Sequence, residues 1–312
     1  MKTIKPGALR RGDVIGICSP ASAPATDDAL SRGIRYLEGL GYRIELGSNV
    51  SRKRGYLAGT DTQRADDVND LFGNRSVKAI IAARGGYGSQ RILPFLNYRL
   101  IRQHPKIFVG YSDITALQLA LLARTGLVTF SGPMVASELS SGFRGTSEEW
   151  FWRCLTSTKR LPSLHARSAH SFKTNARGAG TGRLIGGNLT MIASSVGTPF
   201  FPGTSPSVLL LEEIDERPYR IDRMLRQIRL AGMLSNVKGV VLGAFVGCTP
   251  GRGKPSLTLQ QIFGETFGDI GCPVVGGVRY GHVRNSLTMP LGIRVRVDGV
   301  KREVRFLESA VS

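Results

Sequence analysis

The sequence predicts an α/β fold: an N-terminal doubly wound, mostly parallel sheet domain, followed by a C-terminal α/β domain. Three observations point there. Runs such as Val14-Ile15-Gly16-Ile17-Cys18, Ala79-Ile80-Ile81-Ala82-Ala83 and Ile107-Phe108-Val109 are apolar without alternating, as strands covered on both faces are. Helical patterns separate these runs at the pitch of strand–helix–strand units. Glycine occurs 39 times in 312 residues, which suits the tight turns such a chain needs.

The elements follow in order. Residues 14–18 form the first strand and Ser19 to Ser22 a loop. A helix over 26–40 ends at Gly41, a residue suited to helix termination. Tyr42 to Leu46 is a second strand, 51–59 a polar, basic loop, and 61–72 a helix with Ala65, Val68, Leu71 and Phe72 on one side. The third strand, 79–83, runs straight into Arg84-Gly85-Gly86-Tyr87-Gly88-Ser89. The fourth precedes the turn Gly110-Tyr111-Ser112-Asp113 and a long apolar helix. A fifth, Leu127 to Phe130, ends in Ser131-Gly132. Ligands of such sheets sit beyond the carboxyl ends of the strands, where Gly85-Gly86 and Gly110-Tyr111-Ser112 both fall.

Residues 1–155 are thus expected to form the first domain. The stretch 156–180 has little apolar periodicity and reads as a connection, with His165 and His170 solvated. Residues 181–312 form the second domain. There Val208 to Leu211 is a strand ending in Glu212-Glu213-Ile214-Asp215-Glu216, and 218–230 is an amphipathic helix with Ile221, Leu225 and Ile228 at helical spacing. Further strands are expected at 239–246, 273–275, 293–297 and 303–306, a helix at 257–266, and a loop at Gly281-His282-Val283-Arg284-Asn285.

Composition narrows the function. No apolar run approaches the roughly 20 residues a membrane helix needs. No apolar stretch follows Lys2 and Lys5, so no secretory signal is visible and a cytoplasmic location is expected. Four scattered cysteines show neither zinc-ligand spacing nor a disulfide framework, and no metal or cofactor is expected. Forty-two Lys and Arg against 23 Asp and Glu give a net charge of +19. That charge favours anionic partners, but arginine is spread along the chain and no nucleic-acid motif occurs, so nucleic acid is disfavoured as the main partner.

Ser112 lies at a strand-to-helix junction, where free N–H groups of the helix start can stabilise an oxyanion. A helix cap is the alternative for Ser112 or Asp113. Among four histidines, His104 precedes Pro105 on the wrong side of strand four, while His282 sits in a loop after a strand. Glu212 ends a buried strand; it can serve as a carboxylate partner, cap the next helix, or pair with Arg217 and Arg220. Together Ser112, Glu212 and His282 make a sensible set. Serine needs a base to take its proton, and a carboxylate fixes the histidine tautomer. The order serine–carboxylate–histidine also occurs in α/β-hydrolases, yet Gly110-Tyr111-Ser112-Asp113-Ile114 lacks the second glycine of their G-x-S-x-G turn.

Several segments in order then carry a resemblance: Gly55-Tyr56-Leu57-Ala58-Gly59-Thr60-Asp61, the Arg84 to Ser89 turn, Gly110-Tyr111-Ser112-Asp113, Gly186-Gly187-Asn188-Leu189, the run from Leu211 to Arg223, and Gly281-His282. The sequence resembles the LD-carboxypeptidase family of serine peptidases, which includes the muramoyl-tetrapeptide carboxypeptidases and the microcin C immunity peptidases. The resemblance implies Ser112 as nucleophile, Glu212 as acid and His282 as base. It also implies an oxyanion hole from the backbone N–H groups of Gly86 and Asp113, and an active site in the cleft between the domains. The second acid of the family's Glu-Asp-x-x-Glu segment is Glu213 here; strand alternation puts Glu212 and Glu213 on opposite faces, so one can serve. The implied activity is removal of the terminal D-alanine from cytoplasmic murein tetrapeptides in peptidoglycan recycling, by a homodimer without membrane attachment. Arg84, Arg217 and Arg220 are the candidates for reading the substrate carboxylate, since arginine pairs with carboxylates through two hydrogen bonds. Two alternatives stand beside this: an immunity-type peptidase acting on peptidyl- or aminoacyl-nucleotide adducts, and a non-catalytic basic binding protein.

Overall fold

Strand β1 (Val14–Cys18) is buried at every residue, as its unbroken apolar run requires. In the computed structural model, which describes residues 2–166, 178–204 and 206–312, it lies within a six-stranded sheet. The chain divides into two compact units, one of Met1–Thr158, Leu287–Gly292 and Ala310–Ser312, the other of Lys159–Ser286 and Ile293–Ser309.

In the first unit β1 is followed by α1 (Asp27–Gly39), β2 (Arg43–Leu46), α2 (Asp61–Gly73) and β3 (Val77–Ala82). Two short helices, α3 (Ser89–Ile92) and α4 (Tyr98–Gln103), precede β4 (Ile107–Gly110), α5 (Thr115–Thr125), β5 (Thr129–Ser131) and α6 (Thr146–Thr156). Local chemistry sets the helix ends. Thr26 Oγ1 accepts from Ala29 N–H at the start of α1. Thr60 and Gln63 form a reciprocal capping box on α2, and Gly126 closes α5 in the left-handed conformation. Strands β2, β1, β3, β4 and β5 are parallel neighbours in that order, as expected of crossover connections. The sheet core comprises Ile15, Ile17, Ile80, Ile81, Phe108 and Val109, all without exposed surface. Burying each such side chain contributes roughly 1.5–3 kcal/mol.

The fifth strand starts two residues later than its apolar run suggests. Leu127 forms a parallel bridge with Ile4, and Val128 N–H donates to Ile4 O, so these two residues pair with the N-terminal segment. The helices α3 and α4 are too short to show a helical period in the sequence.

The second unit holds β6 (Leu164–His165), β7 (Ala179–Asn188), α7 (Leu189–Ser195), β8 (Ser207–Ile214), α8 (Pro218–Leu230), β9 (Val237–Val246), α9 (Leu259–Phe267) and β10 (Val274–Gly276). The chain then rejoins the first sheet as β11 (Met289–Leu291), antiparallel to β5, before β12 (Arg294–Asp298) and β13 (Glu303–Phe306) complete the second. That second sheet runs β10-β9-β8-β7-β12-β13-β6, parallel from β10 to β7 and antiparallel beyond. Helix α8 buries Ile221, Leu225 and Ile228, the stripe its spacing specifies.

The stretch 156–180 contains β6, paired with β13, and the opening of β7. Residues 167–177, with His170, lie outside the described residues; His165 is exposed. Among the described residues no helix is long and apolar enough to cross a membrane.

Candidate active site

The turn after β4 holds Ser112 in a left-handed conformation, φ 63°, at the start of a 3-10 turn over Ser112–Ile114 that leads into α5. Such a conformation is costly for a residue with a Cβ and persists only when the surroundings fix it. They do so here from both sides. Gly110 O accepts from Gln118 Nε2 at 2.9 Å and from Gly132 N–H at 3.2 Å. Gly110 itself must be glycine, because a Cβ there would stand 2.7 Å from Ile114 Cγ2. Ile114 occupies the place of the second glycine of a hydrolase elbow, and it packs against the first.

The turn after β3 adjoins this one: a Cβ on Gly85 would meet Ser112 Cβ at 3.2 Å. Gly86 has φ +99°, and a Cβ there would meet Ser22 Oγ at 2.3 Å. Glycine is required at 86 by Ser22 as well as by the backbone angle. The Ser22 hydroxyl donates to Tyr56 O at 2.6 Å and accepts from Tyr87 N–H at 3.2 Å, so it ties the loop around Gly86 to the loop around Tyr56. Asp113 is buried and faces the same turn. Its carboxylate accepts from Gly88 N–H at 3.3 Å and Ser89 N–H at 2.8 Å, and its carbonyl accepts from Ser89 Oγ at 2.5 Å. Burial raises the Asp113 pKa, opposed by the hydrogen bonds from Ser89 and Gly88 and by the Arg64 charge. The structure thus brings Ser112, Gly86 and Asp113 together in two adjoining turns of the first unit.

In the second unit, β8 delivers its two consecutive acids to different partners. Glu212, with no exposed side-chain surface, places Oε2 2.7 Å from His282 Nδ1. A carboxylate can only accept, so Nδ1 carries the proton and Nε2 is the basic nitrogen of the neutral ring. Glu212 Oε1 is buried with no hydrogen-bond partner among the described residues. The histidine side chain is 15% exposed. Glu213 turns to α7 instead: Asn188 Nδ2, Thr190 N–H and Thr190 Oγ1 all donate to it within 2.8 Å. Burial raises its pKa against those hydrogen bonds. Alternation along β8 therefore separates the pair as the sequence predicts, and the Gly-Gly-Asn-Leu-Thr segment around 188 is the structural anchor of the second acid.

The three candidate arginines stand in different settings. Arg84 is half-buried and donates to Ala23 O at 3.4 Å. Arg217 and Arg220 are exposed and line a cavity of about 620 Å³ with Tyr219, Lys254 and Ser256. Arg217 donates to Thr249 O, and Arg220 pairs with Glu216 at 3.4 Å. Among the described residues no cluster of three or more His, Cys, Asp or Glu side chains is placed to hold a metal ion.

Residues 15–132 match the LD-carboxypeptidase N-terminal domain, and residues 181–297 match the LD-carboxypeptidase C-terminal domain. The chain is a member of the LD-carboxypeptidase family. A Bacillus subtilis (strain 168) protein named "Probable murein peptide carboxypeptidase" is 36% identical over 99% of this chain and 95% of its own. The crystal structure of a muramoyltetrapeptide carboxypeptidase from Oxalobacter formigenes has a TM-score of 0.83 at 31% identity, over 93% of this chain and 97% of that one. The structure of the microcin C7 self immunity protein MccF has a TM-score of 0.88 at 27% identity, over 99% and 100%. This LD-carboxypeptidase is accordingly a peptidase, with two α/β domains of the family type.

Three residues of the turns around Ser112 escape sequence reasoning: Ser22, Arg64 and Ser89. Arg64 on α2 is 1% exposed, yet its Nη1 donates to Pro20 O at 2.6 Å and Gly88 O at 2.9 Å, and its Nη2 pairs with Asp61 at 2.5 Å. In the amphipathic pattern of α2 it reads as one of several solvated charges. The Asp61 pair is an ordinary i, i+3 contact, and the two carbonyl partners that tie Arg64 to the turn lie 44 and 24 residues away, beyond the reach of any local signal.

Proposed function

We propose that this LD-carboxypeptidase is a serine peptidase that removes the terminal D-alanine from murein tetrapeptides. Ser112 Oγ attacks the carbonyl carbon of the amide that joins diaminopimelate or lysine to D-alanine. His282 Nε2 takes the hydroxyl proton, and the oxyanion accepts hydrogen bonds from the N–H groups of Gly86 and Asp113. Each such donor typically contributes roughly 3–4 kcal/mol to the transition state. The imidazolium then returns its proton to the leaving amine, and D-alanine departs. Water, deprotonated by His282, attacks the ester carbonyl; the bond to Ser112 Oγ breaks, His282 returns the proton to that oxygen, and the tripeptide acid leaves.

The observation that carries this reading is the 2.7 Å contact of Glu212 Oε2 with His282 Nδ1. A buried carboxylate on that nitrogen fixes the tautomer that leaves Nε2 basic and stabilises the imidazolium once formed. The murein names of the relatives support the substrate, and the basic charge of +19 is compatible with an anionic peptide. In this reading the enzyme works in the cytoplasm in peptidoglycan recycling, as a homodimer without metal or cofactor, and Arg84, Arg217 or Arg220 reads the terminal carboxylate.

Purified protein incubated with muramoyl tetrapeptide should lose one D-alanine by mass spectrometry, and Ser112→Ala protein should release none. Equal release by both would remove Ser112 from the role of nucleophile. A second reading, favoured by the structural likeness to MccF, which is also known in complex with aspartyl sulfamoyl adenosine, is hydrolysis of peptidyl- or aminoacyl-nucleotide adducts. Cleavage of an aminoacyl sulfamoyl adenosine with the tetrapeptide left intact would establish that reading instead.

A further inference from the structure

We propose that the Asp113 side chain, backed by Arg64, is a positioning group that fixes the Gly85–Ser89 turn against the Ser112 turn. The inference rests on the reading above, in which the N–H groups of Gly86 and Asp113 receive the oxyanion. Those two donors belong to different loops, one after β3 and one after β4, and 27 residues separate them in the chain (113 − 86). An oxyanion hole needs its donors set before the reaction, since donors that must reorganise in the transition state stabilise it less. Something must therefore fix the distance between the loops.

The Asp113 carboxylate does this from the β4 side. One oxygen accepts from Gly88 N–H at 3.3 Å and the other from Ser89 N–H at 2.8 Å, while the Ser89 hydroxyl returns a 2.5 Å hydrogen bond to Asp113 O. The three bonds join one residue of the Ser112 turn to two of the Gly86 turn, all with little or no exposed surface. Arg64 completes the arrangement from below. Its Nη1 holds Gly88 O and Pro20 O, and its charge lies close enough to act on the Asp113 carboxylate. Gly88 is thus gripped on both sides of its Cα, the N–H by Asp113 and the carbonyl by Arg64. It has φ +114°, and a Cβ there would meet Leu57 Cδ2 at 2.4 Å, so both the backbone angle and the space favour glycine at this position. One residue, Asp113, then contributes its N–H to the oxyanion and its side chain to holding the other donor's loop.

The test compares Asp113→Asn with wild type on muramoyl tetrapeptide, with kcat expressed per site that reacts with a fluorophosphonate. The amide offers one accepting oxygen, and its NH₂ faces the other N–H. Expected is a fall in kcat of about 10- to 100-fold with KM within about threefold, the signature of an interaction made in the transition state. Amide hydrogen exchange in peptides covering 85–89 should accelerate in the same variant. Ser89→Ala, which removes the hydroxyl bond alone, should move both quantities in the same direction by less, and it serves if Asp113→Asn fails to fold. Faster exchange with kcat per reactive site unchanged would overturn the proposal, because the loop would be pinned without positioning a donor. Unchanged exchange in both variants would overturn it too. Full activity in Ser112→Ala would instead overturn the serine reading beneath it, a result these variants do not imitate.

Discussion

A Cβ on Gly281 would stand 2.7 Å from Glu212 Oε2 and 2.9 Å from Glu212 Cβ. The glycine before His282 leaves room for the carboxylate that meets the imidazole, and its φ of +108° is one that residues with a Cβ rarely adopt. Replacing it tests the pairing without removing either partner. Gly281→Ala should lower kcat for tripeptide release by about 10- to 100-fold, and the backbone strain should cost about 1–3 kcal/mol in urea unfolding. Activity at the wild-type level would show that the contact does not serve the reaction.

The two consecutive glutamates should separate by experiment as they do in space. Glu212→Gln presents an amide to Nδ1 and permits the wrong tautomer, so kcat should fall on the order of 10³- to 10⁴-fold. Glu213→Gln keeps the shape but sets an NH₂ against donors at Asn188 or Thr190. It should lose about 1–3 kcal/mol of stability, with kcat per folded molecule unchanged. The reverse pattern would reassign the acid.

Carboxylate recognition is tested by paired substrates. The arginine that reads the terminal carboxylate, when changed to alanine, should lower kcat/KM for the tetrapeptide by about 10- to 100-fold and leave its C-terminal amide unaffected. Arg84→Ala, Arg217→Ala and Arg220→Ala are compared singly. An equal loss on both substrates would mark the residue as structural.

Lys106 gives the fold a pH dependence. Its Nζ is buried and donates to Val77 O at 2.8 Å and to Asn74 O, where α2 hands over to β3. Burial, with a smaller push from Lys78, lowers its pKa from 10.5 to about 8. Between those values the unfolded chain binds more protons than the folded one, so stability should rise with pH across that window. Below about pH 8 the cost of the buried charge is fully present. Urea midpoints measured from pH 7 to 10.5 should climb in wild type and stay flatter in Lys106→Met.

The legible parts of the sequence are those whose signals are local. Central strands such as β1 and β4 announce themselves because both faces are covered, leaving no polar residue to break the run. Helix α8 is marked by Ile221, Leu225 and Ile228 and by the proline at its start. The separation of Glu212 from Glu213 follows from strand alternation alone. What stays hidden depends on chain segments far apart. The need for glycine at 86 comes from Ser22, and the role of Arg64 comes from carbonyls at 20 and 88. β11, at three residues with a central proline, carries no periodic signal; its pairing with β5 reveals it.

That small strand limits how the protein can be taken apart. Trp150 Nε1 donates to Thr288 O at 2.8 Å, and Met289 to Leu291 pair with β5, so the first unit is closed by residues far downstream of its main sequence block. A fragment ending at Thr158 would present β5 as a bare edge and leave the Trp150 indole without its acceptor, an invitation to aggregate. The two blocks that the family is divided into by sequence, 15–132 and 181–297, are therefore not interchangeable parts. A chimaera joining the front of one relative to the back of another imports a foreign edge strand into the sheet that holds the serine. Modular shuffling within this family has to carry the 287–292 segment with the front half.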